Sequence, residues 1–254
     1  MKKILLAAVA IAALASCSND DVVDVNQGKG ISFRTSLDKA LTRANVTNLQ
    51  NLAAFNVTAI GNGVNYFTNL AVTSNDNGNN WNTASTYYWP GYELAFFAYA
   101  PQNPGGNVEI SSAEKKITGF SPAQSVLDQK DLIISYNTGT KSRNEANGVS
   151  MNFKHALSQI EVKAKCSNDK VKIEVLGVKL VNAASKADFT FPEVETNIGY
   201  ALQQSAWSGW MEKDDPSKAY VIRGENIVTL DNEAKSLMLS LIHISEPTRH
   251  SLIS

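Results

Sequence analysis

The clearest chemistry in this sequence lies near its start. Leu14-Ala15-Ser16-Cys17 follows two cations, Lys2 and Lys3, and an apolar run from Ile4 to Leu14. Such a run is too short to cross a bilayer as a stable helix and reads as the core of a secretory signal. Its end has the spacing of a lipobox. Small residues at Ala15 and Ser16 suit a peptidase cleft, and the Cys17 thiol can take a thioether-linked lipid. Cleavage ahead of Cys17 discards residues 1–16 and leaves the cysteine first. The alternative, an ordinary signal that happens to end near a cysteine, leaves the fit of all four positions to chance.

Arg43 is a second reactive position. Asp38 to Asn45 is polar and small enough for an exposed loop, and a trypsin-like protease needs an extended segment with a long cation for its acidic pocket. One arginine in a loop is by itself common. Trp81, Tyr87 and Trp89 form an aromatic group that could stack on sugar rings; the plainer reading is that they plug one end of a core, with Pro90 ending the strand. His155 lies on an apolar parity, where a core imidazole bonded to a backbone carbonyl is the expectation rather than a ligand or base. No Gly-x-Ser-x-Gly elbow accompanies it. There is no His or Cys spacing for a metal and no glycine-rich phosphate cradle. Asp76 is the one carboxylate in Asn75 to Asn80, too few for a calcium loop, so an Asn-rich turn is expected there. We therefore expect a non-enzyme with no catalytic residues, no metal and no cofactor. A carboxylate pair of the glycosidase kind is left open by the scattered acidic residues.

Charge and cysteine content narrow the partners. Lys plus Arg (23) nearly balance Asp plus Glu (24), and no basic run is long enough to gather phosphates, which argues against nucleic acid. With Cys17 taken by lipid, Cys166 has no partner for an intramolecular disulfide and is expected as a half-buried thiol at a strand end. No second apolar segment is long enough to span, so a lipidated chain is anchored through its acyl chains. Ser18-Asn19-Asp20-Asp21 resembles the acidic patch that sends some Gram-negative lipoproteins to the outer face of the outer membrane; otherwise residues 17–29 are a plain linker.

The elements that must position these residues are strands. Ile31 and Phe33 alternate with Ser32 and Arg34 as in a strand buried on one face. Phe55, Val57 and Ala59 repeat the pattern, and Asn62-Gly63 suits a type I′ hairpin turn before Tyr66 and Phe67. Leu94 to Tyr99 is apolar on both faces, as in a central strand. Pro101 to Gly119 reads as loop, Leu132 and Ile133 begin a strand, and the polar stretch Asn137 to Gly148 reads as a link or a long hairpin loop, where a domain division is expected at 149/150. Met151, Phe153, His155 and Leu157 share one parity, which slips near Ser158 before Ile160, Val162 and Ala164. Val171, Ile173 and Val175 alternate again. Val178 with Leu180, Tyr220 to Arg223 and Ile227 to Leu230 give further strands, and helical periodicity is nowhere sustained. The fold class expected is all-β sandwich.

The C-terminus is of another kind. Leu239 to Arg249 matches, at every position, the translation of a transposase sequencing-library adapter, so residues 239–254 are expected to be adapter-derived and the natural protein longer. His243 and His250 then carry no chemistry.

Several segments in this order resemble the fimbrillin family, whose subunits form type V pili: Ile31-Ser32-Phe33, Leu41-Thr42-Arg43-Ala44, Trp81 with Tyr87-Tyr88-Trp89-Pro90, Leu94-Ala95-Phe96-Phe97-Ala98-Tyr99-Ala100-Pro101, Gln129-Lys130-Asp131-Leu132, and Phe153-Lys154-His155-Ala156-Leu157-Ser158-Gln159-Ile160-Glu161-Val162. The resemblance covers roughly residues 30–238. It implies two tandem β-sandwich domains (transthyretin-like, Greek-key), at 30–149 and an incomplete one at 150–238. It also implies an outer-membrane lipoprotein, exposed at the surface, cut by an arginine-specific protease between Arg43 and Ala44. The strand carrying Ile31 and Phe33 would then be exchanged for one from another fimbrial subunit, giving a head-to-tail adhesive fimbrium outside the cell. The family's donor strand lies at the far C-terminus, which the adapter reading places beyond this sequence. A fimbrial anchor or tip subunit fits the same residues. The alternative from another class is a surface glycan-binding lipoprotein using Trp81, Tyr87 and Trp89, and a host or glycan receptor is a further expected partner.

Overall fold

Short apolar alternations broken by Gly, Asn and Pro favour strands over helices, and the computed structural model is made of them. It describes residues 28–37, 47, 51–183, 186–197, 199–211, 220–224 and 227–242. The strands are β1 (Phe33–Leu37), β2 (Ala54–Gly61), β3 (Val64–Thr73), β4 (Asn82–Thr83), β5 (Leu94–Ala100), β6 (Asn107–Ile110), β7 (Lys115–Phe120), β8 (Ile133–Gly139) and β9 (Val149–His155). They continue as β10 (Ser158–Ala164), β11 (Ile173–Val175), β12 (Val178–Ala183), β13 (Lys186–Thr190), β14 (Trp207–Met211), β15 (Tyr220–Gly224), β16 (Val228–Leu230) and β17 (Lys235–Ile242). Among the described residues the one α-helix is α1 (Lys141–Asn144).

A seven-stranded sheet runs in the order β1-β9-β8-β5-β2-β3-β4, and a four-stranded sheet in the order β14-β13-β7-β6. β5 lies between β8 and β2 because both of its faces are apolar. Leu94, Phe96 and Ala98 point into one core, and Phe97 and Tyr99 into another. The second core joins the two sheets, with Phe97, Ile134 and Tyr136 facing Ile117, Phe120, Phe189 and Trp207. The first fills the other face of the large sheet. That sheet curls over it, so the Phe33 ring on β1 lies 5.8 Å from Phe96 on β5, although β9 and β8 come between in the ladder, and 6.0 Å from Phe55 on β2, one strand further on. The Asn62-Gly63 turn has the expected geometry, with φ of 50° and 76°.

Three features differ from the sequence reading. The stretch read as loop from Pro101 to Gly119 contains β6 and the start of β7. Their lysines and polar residues hide strands that bury little beyond Ile110, Ile117 and Phe120. Residues 149 and 150 both lie in β9. β9 is hydrogen-bonded to β8 on one side and β1 on the other, and β13 pairs with β7, so strands from both sides of that position share both cores. Of the polar stretch Asn137 to Gly148, the first three residues end β8, and Thr140 to Gly148 form the β8–β9 hairpin loop holding α1. Finally, β10, β11 and β12 pair in nested antiparallel fashion with β17, β16 and β15. In this ribbon the alternation at Val171 and Ile173 buries neither side chain, at 47% and 40% exposure. β17 takes in Leu239 to Ile242, whose backbone pairs with Ser158 to Glu161; the rest of the tail lies outside the described residues.

Candidate functional site

β1 is an edge strand with an unusual attachment. Every other neighbouring pair in its sheet is antiparallel, whereas β1 runs parallel to β9, with Phe33 opposite Val149, Thr35 opposite Met151 and Leu37 opposite Phe153. A parallel partner requires a long crossover, and here Ser36 Oγ donates to Asn152 Oδ1 at 2.6 Å across 116 positions of sequence. Among the described residues β1 has one hydrogen-bonded neighbour strand, β9.

Its inward side chains nevertheless complete the first core. Ile31 and Phe33 are buried, and Leu37 packs against the same cluster. The segment 81–92 closes the core beside them. Ile31 N donates to Tyr87 O at 2.6 Å, and the Trp81 indole N–H donates to Thr35 Oγ1 at 3.0 Å. Two close approaches set the register. A Cβ on Gly30 would come within 2.5 Å of Thr86 Cγ2, and a Cβ on Gly148, whose φ is +74°, within 2.9 Å of Ser32 O. Only glycine fits the latter backbone without strain. Val149 N then donates to Ser32 O at 2.8 Å, the first rung between the two strands. Against β1 the β9 edge thus offers backbone groups such as Val149 N, and the core beside it offers the indole donor Trp81 Nε1.

The other expected site residues are dispersed. Cys17, Arg43 and Ala44 lie outside the described residues. Trp81 and Trp89 are buried at 8% and 9% exposure, with their rings against Phe55 and Phe96 at 4.9 and 6.0 Å. Tyr87 leans on Phe67 at 4.8 Å. These rings fill the core, so stacking a sugar on Trp81 or Trp89 would first require unpacking it, and Tyr88, at 37%, is the exposed member of the group.

His155 has a carboxylate partner, which the sequence reading did not anticipate. Its Nδ1 lies 2.7 Å from Asp131 Oδ2, whose side chain is 1% exposed. The same oxygen accepts from Thr47 N at 3.1 Å, which ties down the chain shortly after the Arg43 region. A shallow depression beside them is lined by His155, Leu157, Leu202, Gln203 and Trp207, and His155 is the one titratable group in its lining. Asp76 is the hub of a turn. It accepts from Ser74 Oγ at 2.8 Å, Asn80 N at 2.8 Å and Asn80 Nδ2 at 2.6 Å, and these bonds, those of Asn80 foremost, hold its carboxyl below the ordinary aspartate range. Burial pushes the Tyr99 phenol up, partly offset by its bonds to Asn56 and Asn69. Cys166 is buried just beyond β10, its Sγ 3.4 Å from Asn168 O. Among the described residues no three His, Cys, Asp or Glu side chains gather as metal ligands.

The class these observations define is an all-β sandwich with a parallel edge strand. A family model described as fimbrillin-like matches residues 42–238, and the chain belongs to that family. A model of the prokaryotic membrane lipoprotein lipid attachment site matches residues 1–18, which include Cys17. Together they make the chain a membrane-anchored fimbrillin-like lipoprotein, as its sequence segments imply. Among curated protein sequences none matches. Three solved structures are similar at low identity. A candidate cell adhesion protein from Bacteroides ovatus is 18% identical with a TM-score of 0.47, over 85% of this chain and 77% of that one. A fimbrial protein from Bacteroides ovatus is 15% identical with a TM-score of 0.35, over 82% of this chain and 47% of that one. The fimbrial anchor protein Mfa2 from Porphyromonas gingivalis is 12% identical with a TM-score of 0.34, over 85% of this chain and 78% of that one.

Proposed function

We propose that the chain is the precursor of a structural subunit of a cell-surface fimbria. It is lipidated on Cys17 and carried to the outer membrane, then cut between Arg43 and Ala44 by an arginine-specific protease. It polymerises when a strand from a neighbouring subunit replaces β1. The observation that carries this reading is the place of β1: a parallel edge strand, bonded to one neighbour, whose Ile31 and Phe33 complete a core built by other strands.

The energetics favour refilling over vacancy. A cut after Arg43 leaves β1 held by non-covalent contacts alone. Its departure would return Ile31 and Phe33 to water at about 1.5–3 kcal/mol each, and would leave the outer edge of β9 unpaired, an open template for another strand. A strand added by β-augmentation restores both the backbone bonds and the pocketed side chains. Donor and acceptor surfaces differ, so the contact is heterologous and repeats as an open filament.

The test is mass spectrometry of the mature N-terminus from cells that make the fimbria. Ala44 at the terminus supports assembly. An acylated Cys17 on chains within the fibre overturns the cleavage step and makes the chain an anchor that keeps its lipid.

A further inference from the structure

The β1 groove is not uniformly apolar. Of the four side chains that the segment Ile31 to Leu37, β1 with the two residues before it, turns inward, Ile31, Phe33 and Leu37 meet the hydrophobic cluster, but the third in order, Thr35, accepts the Trp81 indole N–H at 3.0 Å. Trp81 is 8% exposed and packed against Phe55, so its ring cannot swing to water without opening the core. Whatever strand occupies the groove must therefore deal with a fixed, buried donor at one position.

We propose that Trp81 Nε1 selects the incoming strand. The groove takes a strand from a second fimbrial subunit that lies parallel to β9. It carries apolar side chains at the Ile31, Phe33 and Leu37 positions and a hydroxyl acceptor, Thr or Ser, at the position of Thr35. This rests on the proposed exchange of β1 and adds the chemistry of the partner. The register is fixed independently at the other end, where Ile31 N donates to Tyr87 O at 2.6 Å and Gly30 packs closely against Thr86. With that end set, the third inward residue falls on the indole and no other. A strand bearing Val there has almost the shape of Thr but leaves the buried donor unsatisfied. It is rejected for that reason, while a strand shifted by one residue turns its apolar set outward and is rejected by the core. The pocket thus distinguishes a matching strand from the many β-strands whose inward residues are all apolar.

The experiment uses the full chain nicked between Arg43 and Ala44 and stripped of the freed β1 segment, with fluorescently labelled peptides of residues 29–38. The parent peptide, a Thr35→Ser peptide and a Thr35→Val peptide are titrated by anisotropy. The proposal expects the Ser peptide to bind within a few-fold of the parent and the Val peptide roughly ten-fold more weakly. In the nicked Trp81→Phe chain, which lacks the donor, the gap between Thr and Val peptides should close. Equal binding of the parent and Val peptides to the unsubstituted nicked chain overturns the selection by Trp81 and leaves the exchange of β1 standing. A nicked chain that takes up none of the peptides overturns the exchange itself, and this inference with it.

Discussion

Replacing Phe33 with Ala probes whether β1 is an integral wall of the first core or an ornament on its edge. The ring is 7% exposed and meets Phe55 at 6.0 Å and Phe96 at 5.8 Å, both edge-on. Phe to Ala in a core costs about 3–5 kcal/mol, and edge-to-face pairs contribute about 0.5–1.5 kcal/mol each beyond the area they bury. An edge strand relaxes more readily than a central one, which places the expected loss near the lower end, about 3 kcal/mol. That is a large share of the roughly 5–15 kcal/mol that holds a domain together. Urea unfolding followed by tryptophan fluorescence reads it as a fall in midpoint at unchanged slope. Arg34→Ala, on the outward face of the same strand, is the control and should change stability by under about 0.5 kcal/mol. Amide exchange should quicken at Arg34 to Leu37 before it does in β5, because β1 can open without the rest. A Phe33→Ala loss under about 1 kcal/mol would refute the claim that this strand completes the core.

Three further outcomes follow from the same geometry. Gly148→Ala forces a side chain at φ +74° toward Ser32 O and should destabilise by more than about 1 kcal/mol in thermal melts. Asp131→Ala removes a 1% exposed carboxylate from both His155 and Thr47, with an expected loss of about 3 kcal/mol by urea titration and faster proteolysis near Thr47. Asp76 has its folded pKa lowered by the bonds from Asn80 and Ser74, so its contribution is present above the unfolded value of 3.8 and is lost as pH falls through the lower folded value. The gap in melting temperature between the unsubstituted chain and Asp76→Ala should therefore hold at neutral pH and close below that range.

Period-2 patterning revealed the strands that bury one or both faces, and residues such as Ile31, Phe33 and the Leu94 to Tyr99 run were readable because their alternation is local. The hairpin at Asn62-Gly63 was readable because a type I′ turn demands positive φ at both positions. What escaped is non-local. β7 opens on two lysines, Lys115 and Lys116, β6 buries little beyond Ile110, and β13 returns from far along the chain to pair with β7. The parallel pairing of β1 with β9 leaves no mark in either segment. Thr35 looked like any polar residue in a strand, because its partner, Trp81, lies 46 positions away. His155 showed the right parity, but the pattern that suggested burial could not reveal a carboxylate 24 positions back as its partner. The aromatic group at Trp81, Tyr87 and Trp89 offered two readings from sequence, and the burial of Trp81 and Trp89 against Phe55 and Phe96 favours the core reading for those two.

The account stands most directly on the heat stability of the chain after a single cut between Arg43 and Ala44, measured with and without an excess of the peptide of residues 29–38. It predicts a marked fall in melting temperature once the freed β1 segment is removed, and recovery when the peptide is returned. A cut chain stripped of that segment that melts where the intact chain does would contradict it, because no groove would then have been opened.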